Sequence, residues 1–399
     1  MSKGFMSVDW EERIDFPRMK RERLQKAKDA LAESNVDALF VFATEDSRYL
    51  TSARSHLGPT YSNKLTTVLA EGKEPILFTM DDEYCRESMT WMAPEQIQER
   101  AILNEPEGVK KWADLLAGLI GSLDNKTVGI DVWDPLMEEC LKEAFPKTRF
   151  VNGYPVLSKA KITKTPDEIA CLKAATVMTE AAMDAAQDFL RPGVKECEVL
   201  SVAWQTMTAM GSEWTQCANI VCSGPYTAPY RRFTSDRYIR KGDPVIIDIG
   251  ACYNGYWGDF TRTVICGDIK PTSEQIEWHM KSYNSVWNAC AAARPGNTTL
   301  DVYKAAEPYV LNSLGHGSGT NPWEPPYFSR TVYDSPKPLE AGMTFNLEPY
   351  AGKKGIGGFR LENNLVVTES DPDIYTPFPF DERLVTDVHP LDTSTGRTR

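Results

Sequence analysis

Val245-Ile246-Ile247-Asp248-Ile249-Gly250-Ala251-Cys252-Tyr253-Asn254-Gly255-Tyr256-Trp257-Gly258-Asp259-Phe260-Thr261 is the stretch on which the rest of the chain is organised. It opens with a β-branched apolar run, the composition of a buried strand. That strand carries a carboxylate, Asp248. Asn254-Gly255 then signals a two-residue hairpin, and the return strand delivers a second carboxylate, Asp259, eleven positions on. A carboxylate on an apolar strand is costly to bury unless something positive sits beside it. Two of them joined by one hairpin suggest a shared cation. For this stretch alone, a solvated turn bearing two aspartates is an equal alternative.

Length and composition narrow the context. At 399 residues the chain is too long for one small core, so two domains are expected. The net charge of −12 comes with no block of Lys or Arg, which argues against nucleic acid or an anionic membrane as partner. No apolar run approaches the ~18 residues of a membrane span. Met1-Ser2-Lys3-Gly4 leads into charged residues rather than an apolar signal core, so a cytoplasmic protein is expected. The nine cysteines show no CxxC spacing and read as reduced thiols.

Outward from the hairpin, the N-terminal part alternates helix-like and strand-like segments. Residues 11–36 have helical spacing, and 36–42, 66–70, 75–78 and 127–131 read as strands around a helix at 108–120. This pattern is that of a small α/β domain over 1–157. Lys164-Thr165-Pro166-Asp167-Glu168 has Pro just inside a helix start and acidic residues in its first turn. That helix is expected to reach about Phe189, with a second over Glu196–Met210. Beyond it, residues to the end of a 158–399 domain read mostly as strand, with one helical tract from Ser273 to Arg294. The Pro- and Asp-rich tail after Asp371 is expected to run over the surface. The whole is an α+β chain.

Three further elements join the aspartates. In Leu314-Gly315-His316-Gly317-Ser318-Gly319 the flanking glycines let backbone or ligand approach His316 closely. Met343 to Glu348 is an apolar strand ending on a glutamate. Phe359-Arg360-Leu361-Glu362-Asn363 places Glu362 among apolar neighbours, although alternation also permits a solvated face for it. Hard oxygen ligands with one imidazole suit Mn(II), Fe(II), Co(II) or Zn(II), and carboxylates can bridge a metal pair about 3.5–4 Å apart.

Order and spacing of these residues resemble the pita-bread metallopeptidases, which include methionine aminopeptidase, aminopeptidase P, prolidase and the non-peptidase creatinase. The family's ligand order of Asp, Asp, His, Glu, Glu falls on Asp248, Asp259, His316, Glu348 and Glu362. Ser223-Gly224-Pro225, Ser235-Asp236-Arg237 through Lys241-Gly242-Asp243, Gly258-Asp259-Phe260-Thr261-Arg262-Thr263 and Arg360-Leu361-Glu362 resemble the supporting motifs. The resemblance implies a C-terminal pita-bread catalytic domain behind a creatinase-like N-terminal domain. It implies two divalent ions, a metal-bound hydroxide that attacks a C–N bond, Glu348 as proton shuttle, and a homodimer.

The chain departs from the peptidase pattern at two supporting histidines. Tyr230 stands about 18 positions before Asp248 where one is expected, and Trp323 stands seven after His316 where the other is. Only His56, His279 and His389 remain, of which a fold could bring His56 close. Tyr230 can donate one hydrogen bond to an oxyanion. Trp323 offers an indole N–H and an aromatic face for a cation. Arg231 and Arg232 are candidates for holding a substrate carboxylate, and Arg360 joins them as a candidate substrate residue. The leading expectation is a metallohydrolase resembling Xaa-Pro aminopeptidase and prolidase, acting on a short peptide. The alternative is a small-molecule enzyme on the same scaffold, a dimethylsulfoniopropionate-type lyase or a creatinase-like C–N hydrolase, acting on a small zwitterion. A retired, non-catalytic relative is disfavoured by the intact ligand set.

Overall fold

The computed structural model describes residues 14–54, 65–214 and 217–394. The chain divides into two compact units between Lys161 and Ile162. The first unit is built on a six-stranded mixed sheet. Its strands are β1 (Ala38–Val41), β2 (Leu65–Ala70), β3 (Ile76–Thr79), β4 (Ile97–Glu99), β5 (Thr127–Ile130) and β6 (Arg149–Asn152), in the order β4-β3-β2-β1-β5-β6. Among the described residues six α-helices accompany it, α1 (Phe16–Ala32), α2 (Thr44–Thr51), α3 (Asp82–Ser88), α4 (Pro106–Ile120), α5 (Pro135–Ala144) and α6 (Tyr154–Lys161). Phe40, Phe78, Val109, Trp112 and Leu141 fill one side of the sheet; Ala27, Leu31, Leu39, Val41 and Leu157 fill another cluster. Sequence periodicity finds the long helices α1 and α4 but passes over α2 and α3. Eight- and seven-residue helices span about two turns, too few to establish a repeat.

The second unit opens with α7 (Pro166–Phe189). Thr165 and Glu168 form a reciprocal cap at its start: the Thr165 amide donates to Glu168 Oε2 at 2.8 Å and the Glu168 amide to Thr165 Oγ1 at 3.4 Å. Next comes α8 (Glu196–Ala209) and then the antiparallel sheet β7 (Cys217–Ser223), β8 (Pro244–Tyr253) and β9 (Tyr256–Ile265). Asn254 and Gly255 take φ of 50° and 87°, the two left-handed positions of a tight hairpin turn. In the resulting register Asp248 faces Thr261, and Gly250 faces Asp259. Asp259 and Thr261 are two apart on one strand, so both aspartates project from the same face. Val245, Ile247, Ile249 and Phe260 join the other face, packed with Ala182, Met183, Val199 and Ala203 of α7 and α8.

The remaining elements are α9 (Ser273–Ala292), α10 (Thr299–Ala306), β10 (Ser313–Gly317), β11 (Glu324–Ser329), β12 (Thr344–Leu347), β13 (Tyr350–Lys353), β14 (Gly357–Arg360), β15 (Asn363–Val366) and β16 (Asp373–Ile374). A five-stranded sheet runs β11-β10-β12-β15-β16 and a ribbon pairs β13 with β14. Tyr283, Val286, Trp287, Val302, Leu314, Phe345, Leu347 and Leu365 make the core between α9, α10 and this sheet. Two expectations need correction. A second helical tract, α10, follows α9, announced by a reciprocal cap of Thr298 and Asp301. The tail after Asp371 does not run over the surface: β16 pairs with β15, and Phe378, Phe380 and Leu384 are buried. The buried guanidinium of Arg262 requires acceptors, and Phe378 O takes its Nε and Nη2 at 3.1 and 2.7 Å. No helix among the described residues is long and apolar enough to cross a membrane.

Gly258 lets β9 lie directly on α7: a Cβ there would stand 2.3 Å from Thr176 N and 2.4 Å from Ala175 C. Because both neighbours are backbone, Gly258→Ala is expected to lower stability by about 1–3 kcal/mol. The urea unfolding midpoint checks this, and an unchanged midpoint would contradict so close an approach.

Candidate metal centre

The five residues expected as ligands lie together and are all buried. Ligand atoms of Asp259, His316 and Glu362 fall within 4.8 Å of one another, and so do those of Asp248, Glu348 and Glu362. Glu362 belongs to both groups. Each side chain arrives on a different element: Asp248 on β8, Asp259 on β9, His316 on β10, Glu348 just past β12, and Glu362 between β14 and β15. β10 reaches its position because Gly315 lies against β12, where a Cβ would stand 1.9 Å from Asn346 O. The solvated-face alternative for Glu362 is thereby removed, since its side chain has no exposure.

The supporting contacts orient these groups for a cation. His316 Nδ1 lies 3.1 Å from Gly317 O, which places its proton there and leaves the Nε2 lone pair directed elsewhere; Nε2 has no hydrogen-bond partner. Thr261 Oγ1 donates to Glu362 Oε2 at 2.8 Å, while Glu362 Oε1 and Asp248 Oδ1 have no partner. Asn346 Nδ2 donates to Asp259 O at 3.1 Å. Burial holds the His316 imidazole down at about 4, so it is neutral and able to ligate. Burial, then the charge of Asp248, pushes Glu362 up to about 7. Buried oxygen donors, a neutral imidazole and orphaned lone pairs fit hard or borderline divalent cations.

Arg360 is the counter-charge that the protein itself supplies. Its Nη2 pairs with Glu348 Oε2, and its Nε lies 3.5 Å from Asp248 Oδ2. Burial alone would lower its proton affinity, but Tyr230, Asp248, Glu362 and Asp259 together raise it. Arg360, a candidate substrate residue from the sequence, thus turns its guanidinium to two of the expected ligand carboxylates, Asp248 and Glu348. Arg231 pairs its Nη2 with the buried Glu196, and its guanidinium lies over the rings of Tyr226 and Phe233.

Tyr230 does join the centre. Its hydroxyl donates to Asp248 Oδ2 at 3.3 Å, and its ring stacks on Tyr350 with centroids 5.7 Å apart. Arg232, which is exposed, lies 5.1 Å from that ring. Burial and the charge of Asp248 hold the phenol well above its ordinary value, so it remains a donor. Trp323 stands beside the imidazole, edge-on to His316 at 6.2 Å and 48% exposed. Among the other histidines, His279 lies with Tyr283, Phe359 and Phe380, and His389 stacks on Trp287. His56 lies outside the described residues. Sequence reasoning missed Tyr350 and Asn346 as supports; both adjoin expected ligands in sequence, but nothing local shows which way they face.

Residues 170–369 match the pattern of metallopeptidase family M24, and residues 23–160 that of the creatinase/prolidase N-terminal domain. A curated relative, the Xaa-Pro dipeptidase of Pyrococcus furiosus, is 29% identical over 360 residues, covering 88% of this chain and 96% of its own. The structure of a prolidase from Pyrococcus furiosus superposes with a TM-score of 0.72 at 26% identity, over 88% of this chain and 98% of that one. An Xaa-Pro dipeptidase structure from Bacillus anthracis gives 0.77 at 24% identity, over 91% and 99%.

Because Glu362 holds a proton up to about pH 7 in the cation-free centre, a cation must displace that proton. Uptake of Mn(II) by chelator-treated protein is thus expected to release protons at pH 6 and to weaken as pH falls from 8 to 6. Calorimetric titration in buffers of different ionisation enthalpy checks this; pH-independent uptake without proton release would contradict it.

Proposed function

The chain belongs to metallopeptidase family M24 and is a metal-dependent hydrolase of prolidase type, and we propose that it cleaves Xaa-Pro dipeptides at a dinuclear centre. The observation that carries the dinuclear reading is the sharing of Glu362 between two convergent groups, Asp259–His316–Glu362 and Asp248–Glu348–Glu362. Two ions drawn from Mn, Fe, Co or Zn would be held by these five residues. When bound, such ions supply Lewis acidity and an activated water.

The remaining work falls to the chain's own side chains. Glu348 accepts the proton of the attacking water and passes it to the leaving nitrogen. Arg360 steadies that carboxylate and Asp248. Tyr230 turns its single hydroxyl hydrogen from Asp248 Oδ2 to the developing oxyanion, a role open to it because the phenol stays protonated. Trp323 forms an aromatic wall beside His316 for the substrate's ring. Arg232, exposed beside Tyr230, takes the substrate carboxylate. The non-peptidase alternative is not favoured, since an Xaa-Pro dipeptidase and a prolidase are similar to the chain over 88% of its length. We place the protein in the cytoplasm as a homodimer. Eight free thiols among the described residues accord with a reducing compartment, and light scattering tests the dimer.

Mn(II)- or Co(II)-loaded protein is expected to hydrolyse Xaa-Pro dipeptides. Tyr230→Phe should lower kcat by about 10- to 100-fold. Trp323→Ala should raise KM by about tenfold, equivalent to roughly 1.4 kcal/mol of lost contact. Absence of turnover on every Xaa-Pro dipeptide, from protein shown to carry metal, would overturn the substrate reading.

A further inference from the structure

We infer that Glu196 is a positioning residue, a buried clamp that fixes loop 223–235 and thereby sets where the Tyr230 hydroxyl stands. The inference rests on the role given above to Tyr230. Glu196 sits in the first turn of α8, where a helix N-terminus favours a carboxylate, and it has no solvent exposure. Its two oxygens hold the two ends of one loop. Oε1 accepts from Ser223 N at 2.9 Å and Ser223 Oγ at 2.7 Å. Oε2 accepts from Ser235 N at 3.0 Å, from Ser235 Oγ at 2.6 Å, and from Arg231 Nη2. Charge-assisted bonds of this kind are the strong ones, and here all five converge on one group.

The loop is tied at its near end as well, where Arg237 Nη1 bridges Ser223 Oγ at 2.6 Å and Asp243 Oδ2 at 2.7 Å. Between the tethers, consecutive residues face opposite partners. Tyr230 reaches Asp248 and Arg231 reaches Glu196. Arg231 therefore acts as the counterweight of Tyr230: with its guanidinium held, the backbone at 230–231 has one orientation, and the phenol meets the metal-ligating carboxylate. Glu196 hydrogen-bonds none of the five metal ligands, so its effect on the reaction passes through the loop. A displacement of about 1 Å at a reacting group can cost about 100-fold in rate, which makes such a tether consequential.

The test compares Glu196→Gln, Tyr230→Phe and the double variant in full-length, Mn(II)-loaded protein. Gln retains an acceptor for Ser223 but loses the one for Ser235 and the charge facing Arg231. Glu196→Gln is expected to lower kcat on an Xaa-Pro dipeptide by about 10- to 100-fold, with KM changed by less than about threefold. In the Tyr230→Phe background it should add no further loss. Amide hydrogen exchange should rise across 224–235 while β8 and β9 keep their protection. Losses that multiply in the double variant, or loop exchange that stays at the wild-type rate, overturn the clamp. If the wild type cleaves no dipeptide, the reading of function fails, and loop exchange alone decides the clamp. Ser235→Ala, which removes one donor from Oε2, gives the same directions with smaller size should Glu196→Gln not fold.

Discussion

Four carboxylates gathered into one buried cluster repel one another, and the catalytic unit is arranged to bear that repulsion. At an effective dielectric of 20, two like charges 4 Å apart cost about 4 kcal/mol, so the group of Asp248, Glu348 and Glu362 is unfavourable without positive charge. The chain provides one charge of its own, the Arg360 guanidinium between Asp248 and Glu348. It provides neutral donors as well, Thr261 to Glu362 and Tyr230 to Asp248. Burial, and then the repulsion from Asp248, appear as proton affinity: Glu362 is pushed up to about 7. A divalent cation supplies the missing positive charge, which is the physical reason this centre is metal-dependent.

Such a cluster demands rigid delivery, because each ligand comes from a different element. The hairpin fixes Asp248 and Asp259 by register, through two left-handed turn residues. Glycines add close approach at two of these residues, Gly258 beside Asp259 against α7 and Gly315 beside His316 against β12. Arg262 fastens the sheets together: fully buried, it donates to Glu362 O, Thr261 O and Phe378 O. The C-terminal segment is thereby drawn into the support of the ligand that both groups share.

The substrate side is organised differently. Where histidines are expected on the peptidase pattern, this chain presents Tyr230 and Trp323. Tyr230 is packed among Tyr350, Arg232 and Arg360, and its loop is tethered at both ends to Glu196. Trp323 keeps its indole half exposed beside His316, while the next residue, Glu324, is buried against Lys164 at 2.6 Å.

The hairpin and the five residues that the fold gathers were legible in the sequence because their signals are local: β-branched runs, Asn-Gly, glycines around His316, and carboxylates at strand ends. Short helices such as α2 and α3 were not, having too few turns to show a period. The tail misled because its prolines and aspartates resemble a surface segment, whereas Phe378, Phe380 and Leu384 are buried and a backbone carbonyl serves Arg262. Arginine roles were the least legible. Arg231, Arg232 and Arg360 are alike in sequence, yet one is paired with Glu196, one is exposed beside Tyr230, and one bridges two ligands. Which residues can form a metal centre was determined by residue type and order alone. Which charges meet inside it was decided by tertiary structure, because a guanidinium's partner depends on what the fold brings within about 4 Å, and no local pattern encodes that distance.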